Sequence, residues 1–173
     1  FKCDTEEDND AMDKAFNKLR ADDRKEWLSN YDKNDVLDTK RKEISSNDFI
    51  NKCLIHFSKY DCERSIGNVI DGLKTSQRKI LYSGFKRNLT KEIRVSQFAG
   101  YVSEQSGYHH GENSLNMAIV KLAQEYTGSN NINLLYPGGQ FGTRLQGGDD
   151  SASERYIFTQ LSKITEKITA GSF

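Results

Sequence analysis

The sequence predicts an α+β chain of winged-helix type, with a polar helical lead, three short helices in helix-turn-helix order and a glycine-rich β wing. Two observations predict it. Apolar residues recur at helical spacing in three runs between residues 76 and 126, separated by glycine-containing breaks. After Gly128 the texture changes to short extended runs that end in glycine pairs. The length of 173 residues suits one domain of ordinary size, or one domain with a fragment of another.

Taken in order, the first thirty residues read as helical and polar, with Ala15, Phe16, Leu19, Trp27 and Leu28 as a sparse apolar stripe. Residues 31–46 form a connector rich in Asp, Asn and Ser, which reads as a boundary. Ser46-Asn47-Asp48 caps a helix that carries Phe49, Ile50, Cys53, Leu54 and Phe57. Residues 61–75 are irregular. From Ser76 an amphipathic helix turns Ile80, Leu81 and Phe85 inward and its bases outward. Further helices are expected over Val95–Gln105 and from about Glu112 to Tyr126. The wing is expected as two strands, 131–139 and 141–148, and a helix over Tyr156–Ile168 closes the chain.

Composition narrows the classes. Hydrophobic residues make up 35% and aromatic residues 10%, too much for a disordered chain. No apolar run reaches the length of a membrane span. Cys3, Cys53 and Cys62 contain no CxxC pair, so neither a disulfide framework nor a zinc ribbon is expected, and a reducing compartment such as cytosol or nucleus fits. The chain opens at Phe1, without Met and without a leader pattern, and is expected to be a piece of something larger. The 25 basic and 25 acidic residues are unevenly placed. Residues 1–26 hold nine acids against six bases, and residues 63–94 hold eight bases against three acids. The basic stretch reads either as a polyanion footprint or as a solvated helix face.

Six strings, in this order along the chain, carry a resemblance: Asp71-Gly72-Leu73-Lys74, Gln77-Arg78-Lys79, Tyr108-His109-His110-Gly111-Glu112, Gly128-Ser129-Asn130-Asn131, Gln140-Phe141-Gly142-Thr143-Arg144 and Ala152-Ser153-Glu154-Arg155-Tyr156-Ile157-Phe158-Thr159. Together they resemble the type IIA DNA topoisomerases, in particular the eukaryotic and large-virus type II enzymes. The upstream run from Ala21 to Leu28 resembles the segment that joins that family's TOPRIM domain to its winged helix. The resemblance spans roughly residues 14–168. It implies residues 1–43 as the joining segment, 44–170 as the winged-helix domain with the catalytic tyrosine, and 171–173 as a tail. It implies double-stranded DNA as partner, a homodimeric full-length enzyme in the nucleus, and passage of one duplex through a transient break in another.

The resemblance also assigns roles. Tyr156 would attack a DNA phosphate to give a reversible 5′-phosphotyrosyl bond. A phenol ionises near pH ~10, so its oxygen leaves more readily than a serine alkoxide and the strand can be resealed without another energy source. Without that context, Tyr156 would read as a core aromatic. Arg155 would stabilise the charge that builds on the phosphate oxygens, and His110 would donate a hydrogen bond to the scissile phosphate. Arg24, Lys25, Arg64, Lys74, Arg78, Tyr108 and Ser114 match the family's DNA-backbone contacts, which position a duplex without reading its sequence. Arg78 in the first turn of a helix and Ser114 near a helix start add favourable dipoles for anions.

Magnesium and ATP are implied for the full-length enzyme, bound outside this chain, and no metal site is expected within it. Asp8-Asn9-Asp10 has the letters of the family's metal motif but no preceding apolar strand, and reads as an exposed acidic stretch. His109 and His110 are adjacent and do not read as a metal pair. Gly67 and Thr75 stand where the family usually has proline, and Glu154 and Asp149 add negative charge beside the expected phosphate site. The competing reading is a non-catalytic winged-helix DNA-binding module, which would have no need of Arg155-Tyr156 after a glycine-rich wing.

Overall fold

The computed structural model describes residues 1–168, and their contacts divide the chain into two units with the boundary at Gly67–Asn68. The expected division after residue 43 therefore falls inside the first unit. The tail assigned to residues 171–173 lies outside the described residues.

The first unit is helical. Helix α1 (Glu6–Phe16) is followed by α2 (Ala21–Ser29). Helix α3 (Ser46–Phe49) runs through a π-helical segment (Ile50–Leu54) into α4 (Ile55–Ser65). The cap of α3 is Ser45, one residue before the expected stretch, and its hydroxyl accepts the Asp48 N–H at 3.0 Å. The π segment contains the one extra residue that turns Ile50 and Ile55 inward together. Cys53 and Phe57, expected on the apolar stripe, face outward as a result. Ala11, Trp27, Ile50 and Ile55 form the small core. The connector over 31–46 belongs to this unit: Leu37 donates to Lys52 O at 3.2 Å, and Lys2 pairs with Ser45 in a parallel bridge.

The Asp8-Asn9-Asp10 stretch departs from expectation. Asp8 is only 2% exposed. It completes a capping box with Thr5 and accepts the Asn47 N–H at 2.8 Å, which joins the start of α1 to α3. These bonds, that from Asn47 foremost, hold its carboxyl below the ordinary 3.8.

The second unit packs α5 (Thr75–Lys86), α6 (Val95–Ser106) and α7 (Glu112–Ala123) around one core. The apolar spacing explains each helix. On α6, Val95, Phe98, Ala99 and Val102 lie on one face and are at most 1% exposed. Ile80 and Leu81 of α5 and Leu115, Ile119, Leu122 and Ala123 of α7 meet them. Gly107 ends α6 in the left-handed conformation, with φ of 56°. A short 3₁₀ turn at Arg144–Gln146 and helix α8 (Thr165–Ile168) complete the elements.

The β structure is not the expected hairpin. Strand β1 (Ile93–Arg94) pairs antiparallel with β2 (Phe158–Thr159) in the register Ile93↔Thr159. On the other side of β2, residues 135–138 make isolated bridges, Leu135↔Leu161 and Gly138↔Phe158. The segment 141–148 is a closed loop instead of a strand. Gly142, at φ +100°, lies so close to Gly148 that an added Cβ would come within 2.5 Å of its carbonyl oxygen. Tyr156 does not open a helix. It precedes a strand, because Ile157, Thr159 and Leu161 alternate inward with period two.

Candidate functional site

Loop 68–74 delivers the first candidates. Asn68 donates to Leu73 O at 3.0 Å and Gly72 donates to Asn68 O at 2.7 Å, closing a tight turn before α5. Lys74 sits at the N-cap, exposed, with its backbone N–H donating to Gln77 Oε1 at 2.9 Å. Arg78 is the fourth residue of α5, just past the first turn. It reaches back to Asp71, with Nη2 and Oδ2 2.5 Å apart.

The turn between α6 and α7 carries Tyr108, His109 and His110. The Tyr108 and His110 rings meet edge to face, with centroids 5.5 Å apart. Tyr108 is half-buried and His110 exposed. Tyr108 also borders a cleft with Ala99, Ser103, Gly111 and Leu115. Ser114 is the third residue of α7 and exposed.

Arg155 and Tyr156 occupy an exposed turn, and Tyr156 is 73% exposed. The backbone around them is fastened. Tyr156 N–H donates to Ser153 O at 2.9 Å. The first two amides of α6 reach across to the same turn: Val95 N–H donates to Ile157 O at 3.0 Å and Ser96 N–H to Glu154 O at 3.1 Å. Helix amides that lack intrahelical partners are thus satisfied by the carbonyls that flank the Arg-Tyr pair. Ile157, 1% exposed, anchors the turn in the core while its neighbour faces water.

The upstream candidates belong to the first unit. Arg24, matched to a backbone contact, is half-buried and donates to Lys14 O at 3.0 Å and to Asn17 O at 2.5 Å, so its guanidinium caps the carbonyl end of α1. Lys25 is exposed and pairs with Asp22 at 2.7 Å. Arg64 pairs with Asp61 at 3.0 Å and lies over the Tyr60 ring.

The basic stretch is therefore largely engaged within the chain. Beyond Arg64 and Arg78, Lys79 donates to Gly107 O, and Lys86, Arg87 and Arg94 lie over Tyr82, Tyr101 and Phe158. Sequence reading missed two supports. Buried Gln124 donates through Nε2 to Phe141 O at 2.9 Å and Gly148 O at 3.2 Å, clamping loop 141–148. Asp150 accepts from Thr143 within the same loop. Nothing in the sequence around Gln124 signals that role, because its partners are distant backbone carbonyls.

Among the described residues no group of three or more His, Cys, Asp or Glu side chains could hold a metal ion. Asp8 is taken up by its cap and Asp10 lies 2.7 Å from Arg20. The donors present do not fit magnesium. No helix among the described residues is long and apolar enough to cross a membrane.

Known proteins match over almost the whole chain. The DNA gyrase/topoisomerase IV family model matches residues 64–172, and that for the C-terminal associated domain of TOPRIM matches residues 1–62. DNA topoisomerase 2 of Saccharomyces cerevisiae is 58% identical over 161 residues, covering 93% of this chain and 11% of its own. The Arabidopsis thaliana DNA topoisomerase 2 is 53% identical over 165 residues, covering 95% of this chain and 11% of its own. The crystal structure of the Plasmodium falciparum topoisomerase II DNA-binding, cleavage and re-ligation domain superposes with a TM-score of 0.77 at 52% identity, covering 94% of this chain and 22% of that one. This chain spans about a tenth of the length of its curated relatives. With the gyrase/topoisomerase IV family model matching well over half of its residues, and relatives more than half identical across nine-tenths of them, the chain belongs to the type II DNA topoisomerases.

Proposed function

We propose that this chain is the DNA breakage and rejoining part of an ATP-dependent type II topoisomerase, with Tyr156 as its nucleophile. The supporting observation is the Arg155-Tyr156 turn: its side chains are exposed while its backbone is fastened to the N-terminus of α6. That combination suits a group that must meet an outside substrate in a fixed direction. The three-helix unit with β1 and β2 is read as a winged helix, with 131–148 as an irregular wing.

The phenolic oxygen of Tyr156 attacks a DNA phosphorus. An oxygen–phosphorus bond forms to the 5′ side, the bond from phosphorus to the 3′-oxygen breaks, and the phenol proton is balanced by one taken up at the 3′-hydroxyl. Reversal reseals the strand with no oxidant and no water consumed. Arg155 offers forked donors to the non-bridging oxygens as charge builds there. His110 donates an N–H to the same phosphate. Lys25, Arg64, Lys74, Arg78, Tyr108 and Ser114 hold the duplex backbone. Arg24 supports them indirectly by joining α1 to α2.

One tyrosine cuts one strand, so a double-strand break calls for a second copy and a homodimer. Magnesium and ATP act in the full-length enzyme at residues outside this chain, and no step here runs through them. Chromosomal duplex DNA as substrate places the enzyme in the nucleus. The decisive experiment quenches the full-length enzyme on DNA with denaturant, digests it, and sequences the nucleotide-bearing peptide. A nucleotide on Tyr156 is expected. A nucleotide on another residue would remove the assignment, and repeated failure to trap any adduct would favour a purely DNA-binding module.

A further inference from the structure

Asp71 has two separate partners on its two carboxylate oxygens. Oδ1 accepts the Leu73 N–H at 3.0 Å, which shapes the turn before α5. Oδ2 faces Arg78 Nη2 at 2.5 Å, with the arginine side chain 36% and the aspartate 27% exposed. The turn itself is closed by the Asn68–Leu73 and Gly72–Asn68 backbone bonds, so Asp71 is held where it stands. Its carboxyl lies below the ordinary 3.8, first through the Leu73 amide and then through Arg78, so it is charged at neutral pH.

We propose that Asp71 is a built-in counter-charge that occupies Arg78 until a DNA phosphate replaces it, and thereby sets the strength and salt dependence of duplex binding. The inference rests on the reading of Arg78 as a phosphate contact. Carboxylate and phosphate offer a guanidinium the same forked oxygens. The N–H that faces Asp71 cannot serve both at full strength. When phosphate takes the fork, Asp71 loses its cation and stays beside a polyanion, because Leu73 and the closed turn fix its position. Duplex binding is weakened by the lost ion pair and by that repulsion. The protein then grips DNA less tightly at this point than its basic residues alone would allow. For an enzyme that must bind, break and release duplexes repeatedly, that restraint favours turnover.

The test uses Asp71→Asn, which keeps an oxygen for the Leu73 N–H and the same side-chain size while removing the charge. Binding of the 173-residue chain to a short duplex is measured across a salt series for the parent, Asp71→Asn, Arg78→Ala and the double variant, with circular dichroism as the check on folding. Asp71→Asn is expected to tighten binding about two- to fivefold, the weight of one exposed ion pair. It should also steepen the log–log salt slope by up to about 0.9. The gain should shrink clearly in the Arg78→Ala background. An equal gain in both backgrounds would reduce Asp71 to plain repulsion of DNA, and weaker binding by Asp71→Asn would make it an aligner of Arg78; either result overturns the inference alone. An Arg78→Ala variant with unchanged affinity and slope would remove the phosphate-contact reading and the inference with it.

Discussion

Asp150 holds Thr143 with both carboxylate oxygens, Oδ1 lying 2.7 Å from the backbone nitrogen and Oδ2 2.8 Å from the hydroxyl. These bonds, the backbone one foremost, keep the Asp150 carboxyl below its ordinary 3.8. A depressed folded value means the ionised form stabilises the fold at pH above the unfolded value. That contribution is lost as pH falls through the folded value. The Asp150 carboxyl should therefore show an NMR titration midpoint below 3.8. Asp150→Ala should lower stability at neutral pH and flatten its decline in acid. A midpoint at or above the ordinary value would mean the double bond to Thr143 does not persist in solution.

Tyr156→Phe removes one oxygen from a side chain that is 73% exposed. In the full-length enzyme it should abolish covalent attachment to DNA while leaving duplex affinity within about twofold, since exposed positions contribute little to folding. Denaturant trapping on labelled DNA measures the first quantity and equilibrium binding the second. Trapping by the Phe variant would identify a different nucleophile.

Arg155→Ala should slow cleavage by about 10²–10³-fold, the usual effect of losing one oriented donor to a charged transition state. Duplex binding should change far less. Single-turnover cleavage, compared with equilibrium affinity, separates the two. Equal losses in both would make Arg155 a docking residue.

Phe98 is fully buried between α5 and α6, its ring tip 3.6 Å from where a Cβ on Gly84 would stand. Phe98→Ala should cost about 3–5 kcal/mol through lost burial and the cavity left behind. Urea unfolding of the chain, followed by far-UV circular dichroism, measures it. A shift below about 1 kcal/mol would mean that neighbouring side chains collapse into the space.

The three helices of the second unit were legible because each writes its buried face in local spacing; Val95, Phe98, Ala99 and Val102 are the plainest case. The strands were not. Ile93 pairs with Thr159 far along the chain, and β2 buries a threonine as completely as an isoleucine, so no apolar alternation marks it. The expected helix at Tyr156 failed for that reason. Asp8 was misread although Thr5-x-x-Asp8 is a readable capping pattern; its partner Asn47 lies far down the sequence. At the candidate site, the motif strings named Arg155 and Tyr156, but nothing local foretold that Arg78 faces Asp71 or that Arg24 turns to α1. Long cations reach several turns away, and which carboxylate or carbonyl they find depends on the loop that brings it near.

The carbonyls of Glu154 and Ile157 accept from α6 through peptide groups alone. Address and cargo are thus encoded separately: main chain fixes where the turn sits, and side chains at 154, 155 and 156 decide what is presented there. Glu154 can replace a smaller residue without shifting the tyrosine that follows. An engineered turn could likewise present a different nucleophile from the same seat, because no side chain of the turn is needed to hold it.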